Sequence, residues 1–182
     1  MPHVTLVTGG NRSGKSGWAQ TQAEAAAQAT GAGLAYLATC PRLDTEMDDR
    51  ITRHQADRTG RGWQTIEEEL QLTEAIATLP AEQVLLIDCL TLWLNNLLYH
   101  QANDFGEDQA REQALALATA CRQRSGPCFL VTNELGQGVI AADPLTRRFV
   151  DCSGRMNQTI AALADRVVLL VCGQPIIVKG MA

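Results

Sequence analysis

Short apolar runs alternate with longer segments of helical period along the chain. Residues 3–8 form an apolar run that stops at Gly9 and reads as a buried strand. Residues 34–39, 84–87, 128–132 and 167–172 read the same way, the third run closing on Asp88. Between them, helical patterns cover residues 16–30, 70–79, 91–99, 108–124 and 145–164. Strands separated by helix-length segments need crossover connections, which implies a mainly parallel sheet. Runs that are apolar throughout, rather than alternating, imply that helices cover both faces of that sheet. Cys172-Gly173-Gln174-Pro175 is a turn signal, after which residues 176–179 can return as a short antiparallel edge strand. Gly60-Arg61-Gly62 and residues 103–106 read as loops within one domain spanning residues 1–182, with no internal repeat or linker.

Length and composition agree with that organisation. A chain of 182 residues fits one domain, on the usual prior of roughly 150 residues. Apolar residues make up 46% and charged residues 19%, a globular balance. The net charge of -5 argues against a nucleic-acid groove, which needs a basic footprint, but leaves room for a small phosphorylated ligand held by a local basic cluster. No apolar stretch approaches the roughly 20 residues that span a bilayer, and the first residues carry no signal-peptide pattern. The six cysteines form no C-x-x-C pair, so neither zinc nor dithiol redox chemistry is indicated. Cys89, Cys128 and Cys172 sit in or beside apolar runs and read as small buried hydrophobes of a cytoplasmic protein with reduced thiols.

Chemistry enters where the first strand meets the first helix. Gly9-Gly10-Asn11-Arg12-Ser13-Gly14-Lys15-Ser16 matches G-x-x-x-x-G-K-[ST] in full, with an apolar run before it and a helical pattern after it. The glycines let successive backbone N–H groups turn toward phosphate oxygens, and the helix presents its positive end to the same anion. Lys15 is placed to reach the β- and γ-phosphates, the Ser16 hydroxyl to ligate Mg²⁺, and Arg12 adds a cation within the loop. Asp88 closes four apolar residues, as expected of an acid that holds the Mg²⁺ bridging those phosphates; alternatively it caps the helix from Thr91. Glu134 follows another strand and is a second acid for the same sheet edge.

Arg50, His54 and Arg58 recur at i, i+4 and i+8, hence on one face if the segment is helical. Neutral imidazole is a nucleophile and flanking guanidiniums grip phosphate oxygens. The same stripe is also compatible with a solvated helix face whose arginines pair with neighbouring aspartates.

An ordered set of segments carries a resemblance across nearly the whole chain. It runs from Val7-Thr8-Gly9-Gly10 through the phosphate loop to Tyr36-Leu37-Ala38-Thr39, Arg50-Ile51 with His54, and Trp63-Gln64-Thr65-Ile66-Glu67. It continues through Leu94-Asn95-Asn96-Leu97-Leu98, Val131-Thr132-Asn133-Glu134-Leu135-Gly136, Arg148-Phe149-Val150-Asp151, Gly154, Asn157-Gln158 and Ala164-Asp165. In these the chain resembles the bifunctional adenosylcobinamide kinase/adenosylcobinamide-phosphate guanylyltransferase family of cobalamin synthesis. The resemblance implies phosphorylation of the corrinoid's aminopropanol hydroxyl by GTP or ATP, then transfer of GMP from GTP through a guanylylated histidine. By motif position that histidine is His54; His3 precedes the first strand and His100 follows a helix. The same likeness implies a guanine-nucleotide site lined by Ala38, Thr39, Cys40, Gln55, Ala56, Asp57, Arg58, Glu67 and Asp88, and a homotrimer. The family commonly has Ser at the position of Cys40, which points to a backbone contact there.

The expectation is therefore an α/β P-loop NTPase fold, RecA-like, with a mainly parallel sheet, flanking helices and a short antiparallel C-terminal edge strand. The competing functional readings are a simple P-loop small-molecule kinase without guanylyl transfer, and a motor-type ATPase module.

Overall fold

The computed structural model describes residues 3–41, 52, 56, 58–101 and 104–180. The strands are β1 (Val4–Gly9), β2 (Leu34–Ala38), β3 (Trp63–Glu67), β4 (Val84–Asp88), β5 (Cys128–Val131), β6 (Arg166–Val171) and β7 (Gln174–Lys179). The helices are α1 (Lys15–Thr30), α2 (Leu72–Ala77), α3 (Leu90–Gln101), α4 (Glu107–Gln123) and α5 (Pro144–Leu163). One sheet runs in the order β3-β2-β4-β5-β1-β6-β7. Every pairing is parallel except β6 with β7.

Because side chains alternate along a strand, each strand feeds two cores. Val7, Leu34, Tyr36, Val84, Leu86, Phe129 and Val131 pack on one face against Ala19, Ala23, Ala26 and Ala27 of α1. Leu6, Ala35, Leu37, Leu85, Ile87 and Leu130 face the other way, where Leu72, Trp93, Leu94, Leu117 and Met156 from the remaining helices cover them. The small alanine stripe lets α1 lie close to the sheet, so the helix start is fixed relative to the strand ends. Asp143 caps α5 by accepting from the Thr146 N–H at 2.7 Å, with Pro144 in the first turn.

Three details depart from the sequence reading. Residues 63–67, which carry no strand expectation, form β3 at the sheet edge beside β2. Their polar Gln64, Thr65 and Glu67 break the apolar pattern because an edge strand is only half covered. His100 lies in the last turn of α3 rather than after it. Cys172 is exposed, not buried: β6 ends at Val171, leaving Cys172 (φ 51°) and Gly173 (φ 79°) as the two-residue turn into β7. Cys128 is buried as expected, and Cys89 is half-buried.

Asp165 anchors the start of β1. Its carboxylate accepts from the Val4 N–H at 2.9 Å and the His3 N–H at 3.2 Å, and pairs with Arg122 at 3.2 Å. Burial alone would raise its pKa, but the Val4 N–H and Arg122 outweigh that and hold it below the usual carboxylate value. A depressed folded-state pKa stabilises the fold above the ordinary value of 3.8, and that contribution is lost as pH falls through the lower folded value. Asp165→Ala should therefore lower Tm at pH 7 by about 2–4 °C, on the order of 1 kcal/mol for a part-exposed carboxylate. Thermal melts across pH 2–7 should show the two proteins converging as pH falls below the ordinary value of 3.8 and through the lower folded value.

Candidate nucleotide site

The phosphate loop turns between β1 and α1. Gly9 (φ 152°) and Gly14 (φ 94°) take backbone conformations that favour glycine, and Arg12 has φ 55°. The loop is braced from both sides. A Cβ on Gly9 would lie 2.5 Å from the Leu170 carbonyl oxygen, and one on Gly14 would lie 3.2 Å from Gly173 Cα. The Gly173 N–H donates to the Ser13 carbonyl at 2.9 Å, tying the β6–β7 turn to the loop. Within the loop the Ser13 N–H donates to Gly10 O at 3.2 Å, and Lys15 Nζ donates to the same carbonyl at 2.7 Å. Lys15 is buried, and this pulls its pKa below the ordinary lysine value; the neighbouring Cys89 and Asp88 oppose the shift. Asn11 and Arg12 are exposed on the outer side of the loop, while Ser16 is half-buried in the first turn of α1.

Strand parity brings Asp88 to this loop. Val84 and Leu86 belong to the α1 face, so Asp88, two residues on, does too. Its neighbour in register on β2 is Ala38, and on β5 Val131. Asp88 Oδ2 accepts from the Tyr36 hydroxyl at 3.0 Å. The Asp88–Cys89 peptide bond is cis. Burial and the Asp88 carboxylate push the Cys89 thiol up to about 11, so it stays protonated.

Other expected residues are placed less directly. Thr39 is fully buried: its hydroxyl donates to Cys89 O at 2.8 Å and accepts from the Cys89 N–H at 2.9 Å. Its carbonyl accepts from Asn96 Nδ2 at 2.9 Å and its N–H donates to Asp88 O at 3.3 Å. Thr39 is thus committed to holding the β4–α3 junction. The Ala38 carbonyl accepts from the Glu68 N–H at 2.9 Å, Cys40 is half-buried beside Pro41, and Glu67 is exposed opposite Ala38 on β3. Ala56 is exposed, whereas Arg58 is 5% exposed with its guanidinium carbon 3.5 Å from the Tyr36 ring centre. Arg50, His54, Gln55 and Asp57 lie outside the described residues.

Glu134 does lie at the same sheet edge. Its N–H donates to Gly9 O at 3.0 Å and its carboxylate accepts from Thr8 Oγ1 at 3.1 Å. The loop before it is pinned by residues to which the sequence reading gave no role. Thr91 Oγ1 accepts from the Asn133 N–H at 2.8 Å, Thr132 Oγ1 donates to Asn157 Oδ1 at 2.9 Å, and Asn157 Nδ2 donates to Asn133 O at 3.1 Å. A readable signal existed for these: short polar residues at the ends of apolar strands need partners once buried.

Among the described residues no group of three or more His, Cys, Asp or Glu could hold a metal by protein ligands alone. Mg²⁺ at nucleotide sites is ordinarily held by one or two hard protein oxygens together with substrate phosphates. The Ser16 hydroxyl and the Asp88 carboxylate supply oxygens of that kind. Among the described residues no helix is long and apolar enough to cross a membrane.

A glycine-braced loop between a parallel strand and a helix, with an acid at the end of β4, separated from β1 only by β5, defines a P-loop nucleotide-binding protein. Solved folds of this kind agree. One solved ATPase domain superposes with TM-score 0.60 at 14% identity, covering 99% of this chain and 78% of that one. The flagellar accessory protein FlaH of Methanocaldococcus jannaschii gives TM-score 0.56 at 12% identity, covering 99% and 80%. Residues 5–178 match the family model for cobinamide kinase / cobinamide phosphate guanyltransferase, and the chain belongs to that family. It is 38% identical to the bifunctional adenosylcobalamin biosynthesis protein CobU of Escherichia coli, over 97% of this chain and 99% of the relative. It is 40% identical to CobP of Pseudomonas aeruginosa, over 96% of each. With CobU of Salmonella typhimurium the identity is 37%, over 97% and 99%.

The brace on the loop makes a direct prediction. Gly14→Ala forces a Cβ into a left-handed conformation and against Gly173, and should weaken GTP binding by calorimetry about tenfold or more. Gly17→Ala, a helical position with open space around its Cβ, should instead raise stability by about 0.5 kcal/mol in thermal melts.

Proposed function

We propose that this chain is a bifunctional enzyme of cobalamin synthesis. It phosphorylates the aminopropanol hydroxyl of adenosylcobinamide with a nucleoside triphosphate. It then transfers GMP from GTP onto the new phosphate. The observation that carries the reading is a complete phosphate loop, facing Asp88, in a chain that matches the cobinamide kinase / guanyltransferase family over residues 5–178. Full-length similarity to relatives named as bifunctional favours it over a simple kinase.

Lys15 and the loop N–H groups cradle the triphosphate in both reactions, and Ser16 and Asp88 would hold Mg²⁺, which would supply neutralisation of the phosphate charge. In the kinase step the corrinoid hydroxyl oxygen bonds to the γ-phosphorus, the bond to the β-bridging oxygen breaks, nucleoside diphosphate leaves, and the hydroxyl proton is released to solvent. In the transferase step a nitrogen of neutral His54 attacks the α-phosphorus of GTP and pyrophosphate leaves, forming a phosphoramidate. A phosphate oxygen of the phosphorylated corrinoid then displaces the imidazole, giving adenosylcobinamide-GDP and restoring His54. Arg58 and Glu67, with Ala38, Cys40 and residues 55–57, line the guanine-nucleotide site. Thr39 serves it through the β4–α3 junction. The enzyme works in the cytoplasm as a homo-oligomer, by family resemblance a trimer.

Incubation with GTP labelled at the α-phosphorus, followed by denaturation, should leave acid-labile label on the protein. His54→Ala should abolish that label and reduce guanylyl transfer by about a thousandfold or more while keeping kinase activity. Lys15→Ala should reduce both activities by about a hundredfold. Guanylyl transfer at the wild-type rate in the His54 variant would remove the covalent intermediate from this mechanism.

A further inference from the structure

Tyr36 belongs to the buried strand β2, yet it makes polar contacts to two different parts of the site. Its hydroxyl donates to Asp88 Oδ2 at 3.0 Å, and its ring lies beneath the Arg58 guanidinium at 3.5 Å. Neither contact is needed for a strand core, since a Phe or Leu would fill the same volume among Val84, Leu86 and Ala23. The ring is fixed from a third side by Trp63, edge-on with centroids 6.0 Å apart. Trp63 is itself tethered by its indole N–H, which donates to Glu24 of α1 at 2.8 Å. In register, Tyr36 lies between Thr65 of β3 and Leu86 of β4, so its backbone is held by the ladder on both sides.

Arg58 is almost fully buried, and its Nε finds no hydrogen-bond partner among the described residues. An arginine so placed stays put because the aromatic face supports its charge where water cannot.

We propose that Tyr36 is the positioning residue that couples the two charged arms of the site, fixing the Asp88 carboxylate through its hydroxyl and the Arg58 guanidinium through its ring. The inference rests on the reading of Asp88 as the metal-side acid and Arg58 as a nucleotide residue. Tyr36 touches neither nucleotide nor metal. It sets the direction of one Asp88 oxygen, leaving the other for the ion, and it sets the height of the Arg58 guanidinium above the sheet. One side chain therefore makes the acid and the cation move together.

The two contacts separate by substitution. Tyr36→Phe removes the hydroxyl and keeps the ring; Tyr36→Leu removes both. Binding of a fluorescent GTP analogue is titrated in EDTA and across a Mg²⁺ series, with Asp88→Asn and Arg58→Ala as references. Tyr36→Phe should bind the analogue in EDTA like wild type but need about tenfold more Mg²⁺ for the half-maximal metal effect. Tyr36→Leu should show the same Mg²⁺ shift and also bind about fivefold more weakly in EDTA. A purely structural role would lower Tm in both variants and leave this split unmoved. Wild-type Mg²⁺ dependence in Tyr36→Phe, with Asp88→Asn shifted, overturns the coupling while the reading of Asp88 stands. No shift in either variant removes Asp88 from the metal and the coupling with it. Tyr36→Leu binding like Tyr36→Phe in EDTA, while Arg58→Ala binds more weakly, overturns the ring's part. If Arg58→Ala binds like wild type in EDTA, Arg58 is not a nucleotide residue and the ring's part falls with that reading. Should Tyr36→Leu fail to fold, Tyr36→Met replaces it, an apolar side chain that fills irregular space and carries neither ring nor hydroxyl. That variant should show the Mg²⁺ shift together with weaker EDTA binding, and EDTA binding like that of Tyr36→Phe overturns the ring's part.

Discussion

Close approach of backbone to backbone at the phosphate loop is the constraint on which the site depends. Gly9 passes the Leu170 carbonyl where no Cβ fits, and Gly14 rests against Gly173. The hydrogen bond from Gly173 to Ser13 joins the loop to the β6–β7 turn. The antiparallel hairpin at the sheet edge therefore does more than finish the sheet. Its turn buttresses the outer wall of the phosphate cradle. A cradle of N–H groups works only if those groups keep their direction without a ligand to order them.

The second constraint is the narrow alanine face of α1. Ala19, Ala23, Ala26 and Ala27 permit a close helix–sheet contact, and that contact carries Lys15 and Ser16 at the helix start. Strand parity then decides what shares the face with them. Tyr36 and Asp88 fall on the α1 side because Leu34, Val84 and Leu86 do. On the opposite face, Thr39 engages Cys89 just past Asp88 and Asn96 in turn holds the Thr39 carbonyl, so the chain beside the acid is fixed by neutral hydrogen bonds rather than by a competing cation. The site's electrostatics follow from this separation: buried Lys15 and Arg58 lie toward the ligand side in a chain whose overall charge is -5.

Much of this was legible in the sequence, for identifiable reasons. The central strands are apolar throughout because both faces are covered, and the phosphate loop announces its own geometry through glycine spacing. Residues 176–179 were readable as a returning strand from the turn signal, although the strand begins two residues earlier, at Gln174. What escaped had weak local signals. β3 is half exposed and polar, so its pairing is set by β2 rather than by its own pattern. Cys172 looked like the end of an apolar strand, but the twist of a two-residue hairpin turn places it outside. Thr39 and Tyr36 appeared as neighbours in one motif, with nothing local to show that one latches the β4–α3 junction while the other reaches Asp88 across the strand pair. Contacts between positions about 50 residues apart cannot be read from either segment alone.

The arrangement also bears on how one cradle can serve two displacements at different phosphorus atoms. The loop and Lys15 recognise a chain of phosphates, not a particular phosphorus, so choosing between γ- and α-attack must fall to groups outside the loop. Asp88 and Arg58 are two such charged groups, and both contact Tyr36. A site in which the acid and the arginine moved independently could present the metal for one reaction while misplacing the cation for the other. On the proposed coupling, tying both to the single Tyr36 side chain on β2 removes that freedom. Under the proposed mechanism, selection between the two reactions is then left to which nucleophile reaches the triphosphate: the corrinoid hydroxyl, or His54, four residues before Arg58 in the sequence.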